Sequence, residues 1–140
     1  MSLVPRRGIL AISTVVDIAL HASTRPLSAK TLAARYGLAP RHLEPLLQTL
    51  VHQGLLRGIR GPRGGYELGR ASEDITVSQI LDVALNNASA EHPAFEEIPL
   101  VSRVVMPAVR EAGSAVSLAF DRITVSALMR RAIDDGLMPP

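Results

Sequence analysis

The chain has 140 residues, 47% of them apolar, 20% charged and 3% aromatic, with no cysteine and a formal net charge of +2. This is one domain's worth of chain with enough apolar residues for a core, which argues against disorder. The lack of thiols excludes disulfides, thiol catalysis and Cys-ligated zinc or iron–sulfur centres. The small net charge conceals a division: residues 1–70 carry ten Lys/Arg and three Asp/Glu (net +7), residues 71–140 five and ten (net −5). A basic half joined to an acidic half points to a polyanion at one end.

The first element is a helix over residues 8–22, where Ile9, Leu10, Ile12, Val15, Val16, Ile18 and Ala19 recur at helical spacing over a broad face. It follows Arg6 and Arg7 as the apolar part of a signal peptide would. Asp17 interrupts it, and His21 and Arg25 follow without a small-residue cleavage site, so it reads as a helix of a mature, cytoplasmic protein. No stretch is uncharged and apolar for the roughly eighteen residues that a membrane span needs. Asp17 and His21 share a helix face and, with no nucleophile nearby, read as a local polar pair rather than an acid–base dyad.

After Pro26 comes "LSAKTLAARYG", residues 27–37. Ser28 suits an N-cap, Leu27 and Leu32 a hydrophobic staple, and Gly37 the left-handed residue that ends a short helix. A third helix is expected over residues 40–53, closed by Gly54. Leu43, Leu46, Leu47, Leu50 and Val51 share one face, and Arg41, His42, Glu44, Pro45, Gln48, Thr49 and His52 the other. Helix, tight glycine turn and helix with a polar outer face is the helix-turn-helix layout.

"RGIRGPRGGYELGR", residues 57–70, holds four arginines and five glycines. The pieces on either side of "GPRG" read as two short strands, with Gly64 and Gly65 free to take positive φ in the loop. Tyr66 and Leu68 alternate onto one face and anchor the hairpin, while Arg60, Arg63 and Arg70 reach outward. A helix-turn-helix followed by a basic hairpin is a winged helix. The glycine loop is not a nucleotide-binding P-loop, since no Lys-Ser/Thr pair follows and no helix opens there.

"ITVSQIL" (75–81) and "ITVSALM" (123–129) begin alike, each as a helix start with a Thr N-cap and a staple, Ile75 with Ile80 and Ile123 with Leu128. Residues 86–99 are polar and aperiodic, hence a loop. Its Glu91, His92, Glu96 and Glu97 are metal-capable donors but read as solvated. Apolar residues then return every three or four positions from Leu100 to Phe120, a helix roughly 30 Å long at 1.5 Å per residue. Pro107 should kink it or delay its start. So long a helix on so small a domain needs a second apolar surface, supplied by its own copy in a twofold dimer.

These segments resemble a family of bacterial transcription regulators, the Rrf-two type that includes IscR-, NsrR- and CymR-like members. The matching stretches are "DIALHA" (17–22), "LSAKTLAARYGL" (27–38), "RHLEPLLQTLVHQGLL" (41–56), "RGPRGGYELGR" (60–70) and "ITVSQILDV" (75–83), with "ITVSAL" (123–128) like the family's closing helix start. The resemblance implies a dimer that puts recognition helices into successive major grooves and wings into flanking minor grooves. It places base reading at Arg41, Glu44 and Pro45. Glu44 keeps a carboxylate able to accept from a cytosine amino group, whereas Pro45 stands where Gln is common and offers no side-chain hydrogen bond. Cluster-binding members carry cysteines in the loop corresponding to 86–99, where this chain has none. CymR-like members lack a cluster and answer to a protein partner.

The resulting expectation is a mainly α fold: a winged helix-turn-helix DNA-binding domain (1–85) with a small β-hairpin wing, a loop (86–99), and a long C-terminal dimerisation helix with a closing helix (100–140). The function expected is a homodimeric, sequence-specific regulator of double-stranded DNA, a repressor without an iron–sulfur cluster or other cofactor. Its effector, an unidentified protein or a small molecule, is left open. Ser28 and Lys30 would hold backbone phosphates, Arg41, His42, Glu44, Gln48 and Thr49 would read the groove, and Arg57, Arg60, Arg63 and Arg70 would serve the wing. The alternative is a winged-helix module that docks a protein and has no DNA role; the arginines of the wing count against it. No catalytic constellation is present, so an enzyme is not expected.

Overall fold

A computed structural model of the chain describes residues 3–21, 25–86 and 93–137. Helix α1 (Arg6–Leu20) starts two residues before its apolar periodicity, because the Pro5 carbonyl accepts from Gly8 N at 2.9 Å and Ile9 N at 3.2 Å. Its buried stripe of Ala11, Val15, Ile18 and Ala19 forms one wall of the core. Helix α2 (Ala29–Arg35) is capped as its sequence requires, with Ser28 Oγ accepting from Thr31 N at 3.1 Å.

Helix α3 (Pro40–His52) buries Leu43, Leu46, Leu47 and Leu50 and exposes the opposite face. Pro45 lies inside it without ending it: the residue is exposed, and the only loss is the N–H owed to the Arg41 carbonyl. At the far end Gly54, at φ +80°, lets Gly54 N reach Val51 O at 3.0 Å and Leu55 N reach Leu50 O at 3.0 Å. This Schellman turn drives Leu55 into the core and aims the chain into the hairpin.

Strands β1 (Leu56–Ile59) and β2 (Gly65–Leu68) pair antiparallel in the register Leu56–Leu68, Arg57–Glu67, Gly58–Tyr66, Ile59–Gly65. Leu27 adds a third rung, with Leu27 N donating to Tyr66 O at 3.1 Å and Tyr66 N to Leu27 O at 2.7 Å. Tyr66 and Leu68 pack on the core, as the alternation predicts.

A 3₁₀ turn (Ser72–Asp74) leads to α4 (Val77–Leu85), whose start is a full capping box: Thr76 Oγ1 accepts from Gln79 N, and Gln79 Oε1 accepts from Thr76 N. The two "ITVS" segments meet. Val77 N donates to Ile123 O at 2.8 Å and Val125 N to Ile75 O at 2.9 Å, joining Thr76 and Thr124 in an antiparallel bridge. Each Thr also caps its own helix, Thr124 for α7 (Val125–Asp134). The likeness of the segments is therefore the likeness of two paired helix starts.

The loop expectation for 86–99 needs correction at its end: Pro93–Glu96 form a helical turn, α5, opened by a proline. Residues 87–92 of that loop, including Glu91 and His92, lie outside the described residues. Pro107 marks a later start of the regular α-helix, which begins at Met106 with the proline in its first turn. Residues 99–121 are helical throughout, with a π-helical turn (Val101–Val105) just before α6 (Met106–Asp121). Met106 N–H reaches back to Val101 O, and the widened turn gives the proline ring room that a regular turn denies it. α6 lies along α4 and buries none of its own residues.

Candidate nucleic-acid interface

The polar face of α3 stands clear of the core. Arg41, His42, Glu44, Pro45 and Gln48 are exposed. Thr49 is half-buried, and its hydroxyl donates to the Pro45 carbonyl at 2.9 Å, so it is already engaged within the helix. Gln48 is held from the other side: its Nε2 donates to the Tyr66 hydroxyl at 3.1 Å. That bond ties the recognition face to the wing, and a groove of about 340 Å³ between them is lined by Gln48, Gly58, Arg60 and Tyr66.

The wing separates its arginines into two kinds. Arg57 faces Glu67 in the strand register, and both its Nε (2.8 Å) and a terminal nitrogen donate to Glu67 Oε1. The guanidinium, still exposed, is thereby paired within the wing. Arg60, Arg63 and Arg70 are exposed, and none of them takes part in an ion pair among the described residues. Ile59 is the one wing residue with notable apolar exposure, at 36%. At the other border, Lys30 is exposed and Ser28 is occupied twice, accepting from Thr31 N and donating to Thr31 Oγ1 at 2.9 Å.

A buried node behind this surface is missing from the sequence reading. Asp17, 7% exposed, accepts from Arg35 Nε at 2.9 Å and from the Tyr36 hydroxyl at 3.2 Å through Oδ2, while His21 Nδ1 lies 3.5 Å from Oδ1. The local Asp17–His21 pair is real, but its larger use is to pin α2 to α1. The Tyr36 phenol is pushed well above its ordinary value, first by burial, then by the Asp17 charge and the hydrogen bond to it. The i, i+4 spacing indicated the His21 contact; nothing local indicated the partners 18 and 19 residues away.

Among the described residues no group of three or more His, Asp or Glu could hold a metal ion, and no helix is long and apolar enough to cross a membrane. A helix-turn-helix whose recognition helix is bonded to a basic wing defines a class, the winged-helix DNA-binding proteins.

Residues 4–131 match the model of one such family, described as "Rrf2: Iron-dependent Transcriptional regulator", and the chain belongs to that family. Protein rrf2 of Nitratidesulfovibrio vulgaris is 34% identical over 122 residues, covering 84% of this chain and 81% of that protein. IscR of Pectobacterium carotovorum is 31% identical over 84 residues, 60% of this chain, and the chain spans about half (51%) of that relative's length. Among solved structures, T. potens IscR superposes with a TM-score of 0.75 at 27% identity, over 99% of this chain and 93% of that one. CymR of B. subtilis gives 0.69 at 27% identity, over 94% and 98%. The chain is a DNA-binding transcriptional regulator and not an enzyme. The iron in the family's description finds no thiolate here: with no cysteine in the sequence, the donor set does not fit a thiolate-held cluster.

Proposed function

We propose that the protein acts in the cytoplasm as a homodimeric, sequence-specific repressor that binds a pseudo-palindromic duplex without an iron–sulfur cluster. The observation that carries this reading is the continuous surface formed by the exposed face of α3 and the unpaired arginines of the wing, joined by the Gln48–Tyr66 bond. Glu44 and Arg41 would read base edges; Arg60, Arg63 and Arg70 would supply sequence-independent contact to phosphates or the minor groove. Lys30 and Ser28 would border the backbone, and His42 would lie beside Arg41 on the groove side. Arg57 supports the wing's shape through Glu67 more than it supplies charge.

Dimerisation is supported by α6. Its sixteen residues leave none buried; Val109 on its apolar stripe is 60% exposed, and Val105, at the end of the π turn that leads into it, is 45% exposed. A second copy is the occupant that also matches a twofold operator. Repression is the simpler reading: a bound dimer would occlude a site by occupancy alone, whereas activation needs a further protein surface.

The test is filter binding to genomic fragments enriched by the protein, at two salt concentrations. Binding should weaken steeply with salt, and Arg60→Ala with Arg63→Ala should weaken it on every sequence. Glu44→Ala should change preference at one base position, by about 1–3 kcal/mol in discrimination. Wing variants that bind as tightly as the parent would refute the reading.

A further inference from the structure

The cleft between the wing tip and the start of α2 sets Arg63 beside a second cation with no role so far, Arg25. It measures about 710 Å³ and is lined by Arg25, Leu27, Ser28 and Thr31 on one wall and by Arg63 and Gly64 on the other. No carboxylate among the described residues lines it. The backbone sets its width. Leu27 and Tyr66 exchange two hydrogen bonds, and a Cβ on Gly65 would sit 2.5 Å from the Leu27 carbonyl atoms, so the walls approach as closely as glycine allows.

The polar groups on these walls are available. Arg25 and Arg63 are exposed and take part in no ion pair among the described residues, unlike Arg57 and Arg35. Ser28 spends its hydroxyl hydrogen on Thr31 Oγ1, which leaves the Thr31 O–H to donate outward. Two guanidinium groups on facing walls repel each other until an anion sits between them, and a tetrahedral oxyanion matches two arginines and a hydroxyl donor.

We propose that Arg25, Arg63 and Thr31 form a clamp for one backbone phosphate of bound duplex DNA, fixing the wing and the helix-turn-helix to the same strand. This rests on the DNA-binding reading and adds Arg25 and Thr31 to it. Duplex backbone is preferred to a free anion because the cleft is open and lies between two elements that border the DNA surface.

The experiment measures affinity by fluorescence anisotropy for an enriched genomic fragment and a scrambled duplex of equal length, across a salt series. Arg25→Ala should weaken both duplexes by the same factor, roughly three- to tenfold, and lower the slope of log K against log salt by about one. Arg25→Lys should keep most of the slope, and Thr31→Val should lower affinity on both duplexes without changing it. Adding Arg63→Ala to Arg25→Ala should cost less than Arg63→Ala alone, since the two share one phosphate. Arg25→Ala with unchanged affinity and slope, beside a parent that binds, overturns the clamp and leaves the function standing. A parent that binds no fragment overturns both. Inorganic phosphate that binds through Arg25 without lowering the affinity for DNA at constant ionic strength would assign the cleft to a free anion and overturn the clamp.

Discussion

Replacing Val105 and Val109 together by Ala tests the proposed dimer through the bare face of the π turn and α6. Each change removes two methyl-sized groups, worth about 0.8 kcal/mol apiece when buried. Val105 and Val109 are 45% and 60% exposed in the protomer, so a covering partner contributes about 0.7 and 1.0 kcal/mol for the groups removed. A twofold interface counts each loss twice, giving about 3.4 kcal/mol, or a dissociation constant a few hundredfold higher. Alanine is the better helix former, so α6 itself is not weakened, and neither side chain belongs to the buried core. Sedimentation velocity over a dilution series reads the effect directly. The parent should remain dimeric at concentrations where the double variant is monomeric, and operator binding should fall to that of a half-site. Equal dissociation constants for the two proteins, or a parent monomeric throughout, would refute the reasoning.

Two further outcomes concern the scaffold behind the interface. Tyr36→Phe removes the donor to Asp17 Oδ2 and should destabilise the fold by about 1–3 kcal/mol in urea unfolding, with the helix content retained. The same bond carries a pH signature. The folded state raises the Tyr36 phenol above its ordinary 10.0, so it binds that proton more tightly than the unfolded chain does. The contribution is complete below pH 10 and is lost as pH climbs above it; Tyr36→Phe should remove that part of the alkaline loss of stability. Gly65→Ala would place a Cβ 2.5 Å from Leu27 carbonyl atoms at a φ of +154°, and should part the wing from Leu27 at a cost of about 1–3 kcal/mol. Thermal melts would show the loss, and operator binding should fall further than the stability change explains.

What could be read in advance was whatever is decided within a few residues. Ser28, Thr76 and Thr124 as caps, Gly37 and Gly54 as helix ends, and Tyr66 and Leu68 as the inward side of the wing all follow from local geometry, and each is found in place. The charge state of the wing was within reach but missed: a turn centred on Pro62 sets Arg57 opposite Glu67, which makes that arginine a cross-strand ion pair and not a free cation. Pro107 marked a disturbance correctly, but its residue type alone does not specify the form this takes, a π turn ending in the Met106–Val101 bond. The Asp17 node was beyond local reading altogether, because a carboxylate on α1 acquires Arg35 and Tyr36 only once α2 has docked. The misses at Arg57 and Asp17 share a physical origin: each is a partner chosen by packing. The same reasoning explains why α6 looks unfinished in a single chain. Its apolar stripe is as regular as that of α1, but α1 meets its partners within the protomer while the stripe of α6 stays largely bare. In the proposed homodimer that stripe is covered by a second copy of the chain, which carries a matching stripe by construction.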